Sequence, residues 1–97
     1  MPTYVTLANF TDQGIRNFSD TTKRAKAFRE LVDGMGGEVK HLVWTMGIYD
    51  VIAIAELPDD ETATAAALKI SSQGNVRTTT LRGFDTEEIG SIIAKAD

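Results

Sequence analysis

The sequence predicts one α+β domain in which strands and helices follow the order βαββαβ, with a further helix at the C-terminus. Two features of the 97-residue chain lead to this prediction. Segments rich in β-branched and aromatic residues alternate with segments whose apolar residues recur at helical spacing, and glycines follow the helical segments. The length fits a single domain, residues 1–97, and no linker or low-complexity segment divides it.

The first half of the chain contains two predicted strands joined by a helix. Residues 4–10, Tyr-Val-Thr-Leu-Ala-Asn-Phe, have a composition typical of a strand. Residues 11–14 follow as a loop, in which Gly14 is expected to occupy the turn. Apolar residues at helical spacing predict a helix over about residues 20–33, and glycines end it. Residues 39–46 form the second predicted strand.

The second half repeats this pattern and adds the C-terminal helix. Residues 47–50, Gly-Ile-Tyr-Asp, are interpreted as a short hairpin turn before a third strand over residues 51–56. Asp59 is placed to cap a second helix, whose small apolar residues allow close packing on a sheet. A threonine run predicts a fourth strand over residues 76–82. Asp85, with a glutamate three residues later, predicts a capping box at the start of the last helix.

The simplest arrangement of these elements is a ferredoxin-like sheet. Right-handed crossovers interleave the two βαβ units into an antiparallel sheet of strand order 4-1-3-2, with both helices on one face. This order brings the end of the first strand, the 47–50 turn and the start of the fourth strand to one end of the sheet. The candidate ligand-binding residues that we expect to converge there are Asn9, Thr11, Tyr49, Asp50, Asn75 and Arg77.

A structural explanation of the same residues stays open. Turns favour Gly, Asn and Asp because of their backbone geometry, without any ligand. Arg77 and Asp50 carry opposite charges on different strands, so they could simply pair with each other.

Apolar residues on both faces of the second and third strands indicate that both faces of the sheet are covered. In the second strand, strict alternation puts Val39, His41 and Val43 on one face and Leu42 and Trp44 on the other. Two helices cover one face, and a second copy of the chain is the expected cover for the other. This predicts a homodimer or a higher homo-oligomer. The small side chains expected to leave room for a ligand on the open face are Thr6, Ala8, Ala53 and Ala55.

Composition excludes several kinds of chemistry. The chain has no cysteine and a single histidine, His41, so disulfides and cysteine nucleophiles are excluded and an ordinary zinc or haem site is not expected. We expect no cofactor and no metal. A net charge of -4 and a pI near 4.9 disfavour nucleic acid as a partner. No long apolar run or signal sequence favours a membrane, and the expected location is the cytoplasm.

Several segments together resemble the GYD domain family, and they extend over nearly the whole chain. The Gly-Tyr-Asp signature that names the family is present at residues 47–50 with Ile48 inserted. The other segments are residues 9–15, 23–25, 58–60 and 74–82. The resemblance implies a ferredoxin-like unit that pairs through its sheet, as in the dimeric α/β-barrel superfamily. It supplies no catalytic residues, and the chain departs from similar sequences at Gly83, where alanine is more common.

Three functions are compatible with these features, and whether the protein is an enzyme stays open. The first is binding of a small molecule at the sheet or at a subunit interface. The second is a regulatory oligomer similar to PII-type signalling proteins, in which an anionic effector is held between subunits by Arg16, Lys23, Arg24 and Arg77. The third is a purely structural assembly module.

Overall fold

The computed structural model describes residues 1–97 and confirms the α+β prediction. Four strands form one sheet, two long helices pack on it, and a C-terminal helix follows. A short helix and a 3-10 turn at Phe18–Asp20 precede the first long helix. The elements are β1 (Thr3–Phe10), α1 (Asp12–Arg16), α2 (Thr21–Gly34), β2 (Glu38–Trp44), β3 (Val51–Glu56), α3 (Asp60–Ser72), β4 (Val76–Gly83) and α4 (Thr86–Ala96).

The sheet is antiparallel throughout and has the order β2-β3-β1-β4. This is the predicted 4-1-3-2 order, named from the opposite edge. β1 lies at the centre, paired with β3 on one side and with β4 along its whole length on the other. Residues of α2, of α3 and of all four strands line one common cavity, so both helices lie on the same face of the sheet, as predicted.

The core lies between the sheet and the two long helices, and it is small. Its central members are Val32 of α2, which is fully buried, and Tyr4 of β1. Only 10 of the 97 residues are buried, and alanines are prominent among them. The side chains on the inner face of the sheet therefore do not fill the space under the helices.

The ends of α3 and α4 follow the chemistry expected of them, whereas Asp20 precedes α2 without a side-chain capping bond. Asp59 Oδ1 accepts hydrogen bonds from the hydroxyl of Thr62 at 2.6 Å and from its N–H at 2.8 Å, and these bonds lower the pKa of the Asp59 carboxyl. Asp85 and Glu88 form the predicted capping box of α4. Gly74 has a φ of +84°, the left-handed conformation that commonly follows a helix C-terminus.

Residues 11–14 do not form the expected loop, because α1 begins there. Thr11 caps this helix, and its Oγ1 accepts a hydrogen bond from the N–H of Gly14 at 3.1 Å. Gly14 is buried and helical, so it is not a turn residue. A Cβ at this position would lie 1.9 Å from the carbonyl oxygen of Asn75. The glycine is therefore required for a close approach between two backbone segments.

The connection between β2 and β3 is longer than the predicted hairpin turn. β2 ends at Trp44, and residues 45–50 form a loop. Thr45 starts this loop, because its N–H donates to the Asp50 carbonyl at 2.9 Å and its hydroxyl donates to the Tyr49 carbonyl at 2.6 Å. Gly47 adopts a φ of +112° within it, a conformation that L side chains rarely adopt.

A β-bulge between Val39 and His41 changes which residues of β2 share a face. Val39 belongs to the buried core, and Leu42 and Trp44 line the cavity on the same, helix-covered side. His41 and Val43 face the other way. The alternation expected for this strand is therefore wrong at Val39, because the bulge inserts one residue into the period of two.

Two apolar surfaces of the protomer are uncovered. The first, which we call the outer sheet face, is the face opposite the helices and consists of Val5, Leu7, Val43, Ile52, Ile54 and Leu81. The second is the apolar side of α4, which makes few contacts with the rest of the protomer and exposes Phe84, Ile89, Ile92 and Ile93. None of the helices has the length and hydropathy to cross a bilayer.

Tyr4 joins the centre of the sheet to the start of α3. Its buried hydroxyl donates to Asp60 Oδ1 at 2.6 Å. The guanidinium of Arg82 lies 5.8 Å from the centroid of its ring. Burial, followed by the hydrogen bond to Asp60 and the negative charge of Asp60, raises the pKa of Tyr4 from 10.0 to about 12.

We expect the stability of the protein to fall as the pH rises through this range. The folded state favours the neutral phenol of Tyr4. Its contribution to the free energy of unfolding is therefore complete below pH 10.0 and is lost as the pH passes about 12. Denaturant unfolding at several pH values between 10.0 and about 12 should show that the free energy of unfolding falls more steeply with pH for the wild type than for Tyr4→Phe. Tyr49→Phe is the control and should keep the wild-type slope. A Tyr4→Phe profile parallel to the wild type would contradict the prediction.

Candidate functional site

The predicted end of the sheet, where β1 and β2 finish and β4 begins, is held together by hydrogen bonds between segments distant in sequence. The N–H of Thr11 donates to the carbonyl of Asn75 at 3.1 Å, and the Thr11 hydroxyl donates to the carbonyl of Gly74 at 2.5 Å. Gln13 Nε2 donates to Asn75 Oδ1 at 2.9 Å. Thr11 and Asn75 are therefore adjacent, and they connect the exit of β1 to the entry of β4.

The 45–50 loop is attached to the same end of β1. The N–H of Asp50 donates to the carbonyl of Ala8 at 2.9 Å, and Asp50 Oδ2 accepts from the N–H of Phe10 at 2.8 Å. The side-chain amide of Asn9 donates to the carbonyl of Ile48. The ladder between β1 and β3 ends at Ala8, so the Asp50 carboxylate supplies the acceptor that β3 no longer provides to Phe10.

The side chains of Arg77 and Tyr49 do not join this network. Arg77 lies opposite Asn9 in the ladder, is exposed, and makes no ion pair. Tyr49 takes part only through its carbonyl, which accepts from Thr45. The suggested pairing of Arg77 with Asp50 is wrong, because the backbone of β1 engages the Asp50 carboxylate instead. The sheet end thus brings together Asn9, Thr11, Asp50 and Asn75 of the six candidates.

A cavity of 90 Å³ lies between the sheet and the two long helices. Hydrophobic residues make up 16 of the 23 that line it. Its floor includes the four small residues that were expected on the open face, Thr6, Ala8, Ala53 and Ala55, and its roof includes Ala63, Ala66 and Ala67 of α3. The expectation that these four residues lie on the open face is wrong. Periodicity shows that side chains alternate between the two faces of a strand, but it does not show which face the helices cover.

Arg24 lies at the end of the cavity next to the candidate residues, together with Phe10, Trp44 and Asn75. It is the only charged residue that lines the cavity. Its Nη2 donates to the carbonyls of Gly14 at 3.2 Å and Asn17 at 3.0 Å, at the C-terminal end of α1. The cavity therefore has apolar walls and one cationic end.

Trp44 closes the same end against α2. Its indole Nε1 donates to Thr21 Oγ1 at 2.9 Å, and the side chain is partly exposed. It is the only tryptophan of the chain, so its fluorescence reports on this end of the cavity.

The opposite end of the cavity holds one ion-paired residue and one hydrogen-bonded carboxylate. A second, more polar depression is lined there by Tyr4, Asp60 and Arg82, among others. Asp60 accepts from Tyr4, and Arg82 Nη2 lies 3.2 Å from Glu88 Oε2. This end holds α3 and α4 to the sheet, and its one charge without an ionic partner is the negative charge of Asp60.

Sequence reasoning indicated which segments meet at this end of the sheet but not the cavity behind it. The available signal was the alanine content of the inward positions of β3 and α3. Alanines at such positions leave space that larger side chains would fill. Whether that space closes depends on how far the helices stand from the sheet, and helix periodicity carries no information about this distance.

Solved structures define the class of protein to which the fold belongs. The Arabidopsis thaliana protein At3g17210 matches with a TM-score of 0.59 and 15% identity, covering 89% of this chain and 96% of that one. A homoserine dehydrogenase from Thiobacillus denitrificans matches with a TM-score of 0.60 and 15% identity, covering 87% of this chain and 17% of the dehydrogenase. At these identities the likeness shows the fold alone, a small α+β domain of ferredoxin-like topology.

Sequence comparison then gives the family. The GYD domain model matches residues 4–93, so the chain belongs to the GYD domain family, as its segments indicated. A Thermus thermophilus relative called glutamine synthetase and cystathionine beta-lyase binding protein is 30% identical over 90 residues. The match covers 92% of this chain and 95% of the relative. The name-giving residues Gly47, Tyr49 and Asp50 all lie in the loop attached to the end of β1.

We expect Asp50→Ala to lower the free energy of unfolding by about 1–3 kcal/mol, because the half-buried N–H of Phe10 loses its acceptor. Asp50→Asn keeps an acceptor oxygen and should cost about 1 kcal/mol or less. Asp33→Ala is the control, since the Asp33 carboxylate is exposed and makes no hydrogen bond or ion pair. Denaturant unfolding measures all three. Equal effects of Asp50→Ala and Asp33→Ala would show that the carboxylate does not hold the loop.

Proposed function

We propose that the protein binds a small molecule in the cavity between its sheet and its helices, and that it works as a homo-oligomer in the cytoplasm. The observation that carries this proposal is the cavity itself, which has small side chains on its floor and roof. Protein interiors are ordinarily close-packed, so an unfilled space of this kind between the main layers of a small domain needs an explanation.

The energetic cost of the cavity supports a ligand. A sealed, dry cavity costs roughly 24 cal/mol per Å³, so about 2 kcal/mol is the upper bound for this partly open space of 90 Å³. The total stability of a domain is typically about 5–15 kcal/mol, so this cost is a substantial fraction of it. Leucine or valine in place of an alanine such as Ala66 would reduce the space. A ligand that occupies the cavity offsets the cost instead.

A second candidate function is binding of other proteins. The Thermus thermophilus relative is named for binding two enzymes, glutamine synthetase and cystathionine beta-lyase. The exposed apolar side of α4 favours this candidate, since such surfaces often mark sites of protein association. In this reading the protein is an accessory module of enzymes of that kind, and the cavity plays no part in recognition.

The surface area supports self-association. A folded monomer of 10.5 kDa exposes about 5,400 Å² on average, whereas this protomer exposes 6353 Å². The excess of roughly 900 Å² is close to the ~800 Å² that each partner buries in an interface of standard size. The outer sheet face is apolar and uncovered, so pairing of two such faces is the proposed interface.

We expect native mass spectrometry of the protein purified from its own host to detect a bound small molecule. Ala66→Leu should remove this ligand and keep or raise the melting temperature, because the new side chain occupies the cavity. Ala65→Leu is the matched control, since Ala65 lies next to Ala66 on α3 but is exposed and outside the cavity. It should retain the ligand.

The same spectra separate the two candidate functions. An added mass of tens of kilodaltons in both variants, with no small ligand in the wild type, would favour the enzyme-binding function and contradict the first. A ligand retained equally by both variants would place small-molecule binding outside the cavity.

We expect sedimentation velocity at micromolar concentration to show a dimer or larger species with no major monomer. Leu81→Lys adds a charge to the outer sheet face at a half-exposed position and should produce monomer. Leu68→Lys is the control, because Leu68 is 67% exposed on α3, away from that face. A monomeric wild type, or equal dissociation by both variants, would contradict pairing through the outer sheet face.

A further inference from the structure

Arg24 carries a positive charge that no carboxylate of the protein neutralises. The ion pairs of the protomer involve Lys23, Lys40 and Arg82. Two carbonyl oxygens engage Nη2 of Arg24, but its Nε and Nη1 are buried and have no hydrogen-bond partner. Buried donors are almost always paired, and an unpaired buried charge is costly. These nitrogens therefore lack an acceptor.

The surroundings of Arg24 provide no such acceptor within the protein. The ring of Phe10, whose centroid lies 5.7 Å from the guanidinium carbon, gives only a partial cation–π contact. Asn75 lines the same end of the cavity, and its Oδ1 is already occupied by Gln13, which leaves its Nδ2 as a further donor. Neither the Arg24 guanidinium nor the Asn75 side chain carries a negative charge, and each keeps N–H groups that have no partner within the protein.

Capping of α1 explains only part of the placement of Arg24. The Nη2 contacts to the Gly14 and Asn17 carbonyls stabilise the C-terminal end of α1, as a cation at that position does. A guanidinium has five N–H donors, and those of Nε and Nη1 contribute nothing to this cap. A lysine could provide the same charge near α1 without burying additional unpaired donors.

We propose that the ligand is a small organic anion with an apolar body, such as an aliphatic carboxylate, and that Arg24 binds its charged group. This inference rests on the proposed function and adds the chemical class of the ligand. The carboxylate accepts from Arg24 and Asn75, and the apolar body lies among the alanines between the sheet and α3. Nε and Nη1 are shielded from solvent, so the carboxylate reaches them only after a small movement of the guanidinium or of the Phe10 ring.

Hexanoate and hexanamide test this inference because they share an apolar chain and differ in charge. Binding is followed by the fluorescence of Trp44 and by the NMR signal of its indole N–H. We expect the wild type to bind hexanoate about 10-fold more tightly than hexanamide, since a charge-assisted hydrogen bond is worth about one order of magnitude in affinity. Arg24→Met keeps the apolar stem and should abolish this preference while hexanamide still binds.

Two further variants keep the test conclusive. Lys23→Met removes a neighbouring, 85% exposed charge and should leave the preference unchanged. Arg24→Lys keeps the charge if Arg24→Met does not fold, and it should retain part of the preference. Equal binding of both probes by the wild type overturns the inference but leaves small-molecule binding intact. Binding of neither probe also overturns it, and the proposed function is then decided by the native mass spectra of the Ala66→Leu and Ala65→Leu variants.

Discussion

Ala8, Ala53 and Ala55 lie on the inner face of the sheet beneath α2 and α3, and their small side chains leave part of the intervening space unfilled. Alanines of α3 face them from the other side. The helices are therefore held beside the cavity, by the packing of Val32 in the core and by the hydrogen bond from Tyr4 to Asp60. The cavity and the small core both follow from this shortage of side-chain volume.

The shortage of side-chain volume on the inner face of the sheet accompanies an excess of apolar surface on the outer sheet face. A domain of this size has little apolar area to bury, and here much of that area, on the outer sheet face and on α4, faces solvent in the isolated protomer. In β3 the large side chains of Ile52 and Ile54 point outward, while those of Ala53 and Ala55 point toward the helices. A second copy of the chain on the outer sheet face and a ligand in the cavity would bury apolar surface that the isolated protomer exposes.

Local sequence signals predicted the fold well, because each reports on a short-range interaction. Asp85 and Glu88 satisfy each other's helix-terminal donors, so the capping box could be recognised from three-residue spacing alone. The strand order followed from the handedness of crossovers. Thr11, Asp50 and Asn75 were correctly brought to one end of the sheet, because topology alone determines which loops share an end.

The features that sequence reasoning missed depend on contacts between distant segments. Gly14 appeared to be a turn residue, but its role is to admit the carbonyl of Asn75, which lies far along the chain. The bulge after Val39 changes the expected alternation of side chains in β2. It could not be predicted from the sequence, since nothing in a local pattern marks an inserted residue. Arg77 was assigned to Asp50 on charge alone, whereas a backbone N–H provides the partner of that carboxylate.

The sequence by itself determined the order of the strands and long helices, the caps of α3 and α4, the strand order and the end of the sheet where the signature loop lies, because hydrogen bonding within a few residues and chain chirality control these features. Only the tertiary structure decided that Thr6, Ala8, Ala53 and Ala55 face the helices, that a cavity remains above them, and that Arg24 lines this cavity and keeps two buried nitrogens without a hydrogen-bond partner. Those outcomes depend on the distance between packed layers and on which face the helices cover, and no periodicity within one segment encodes either.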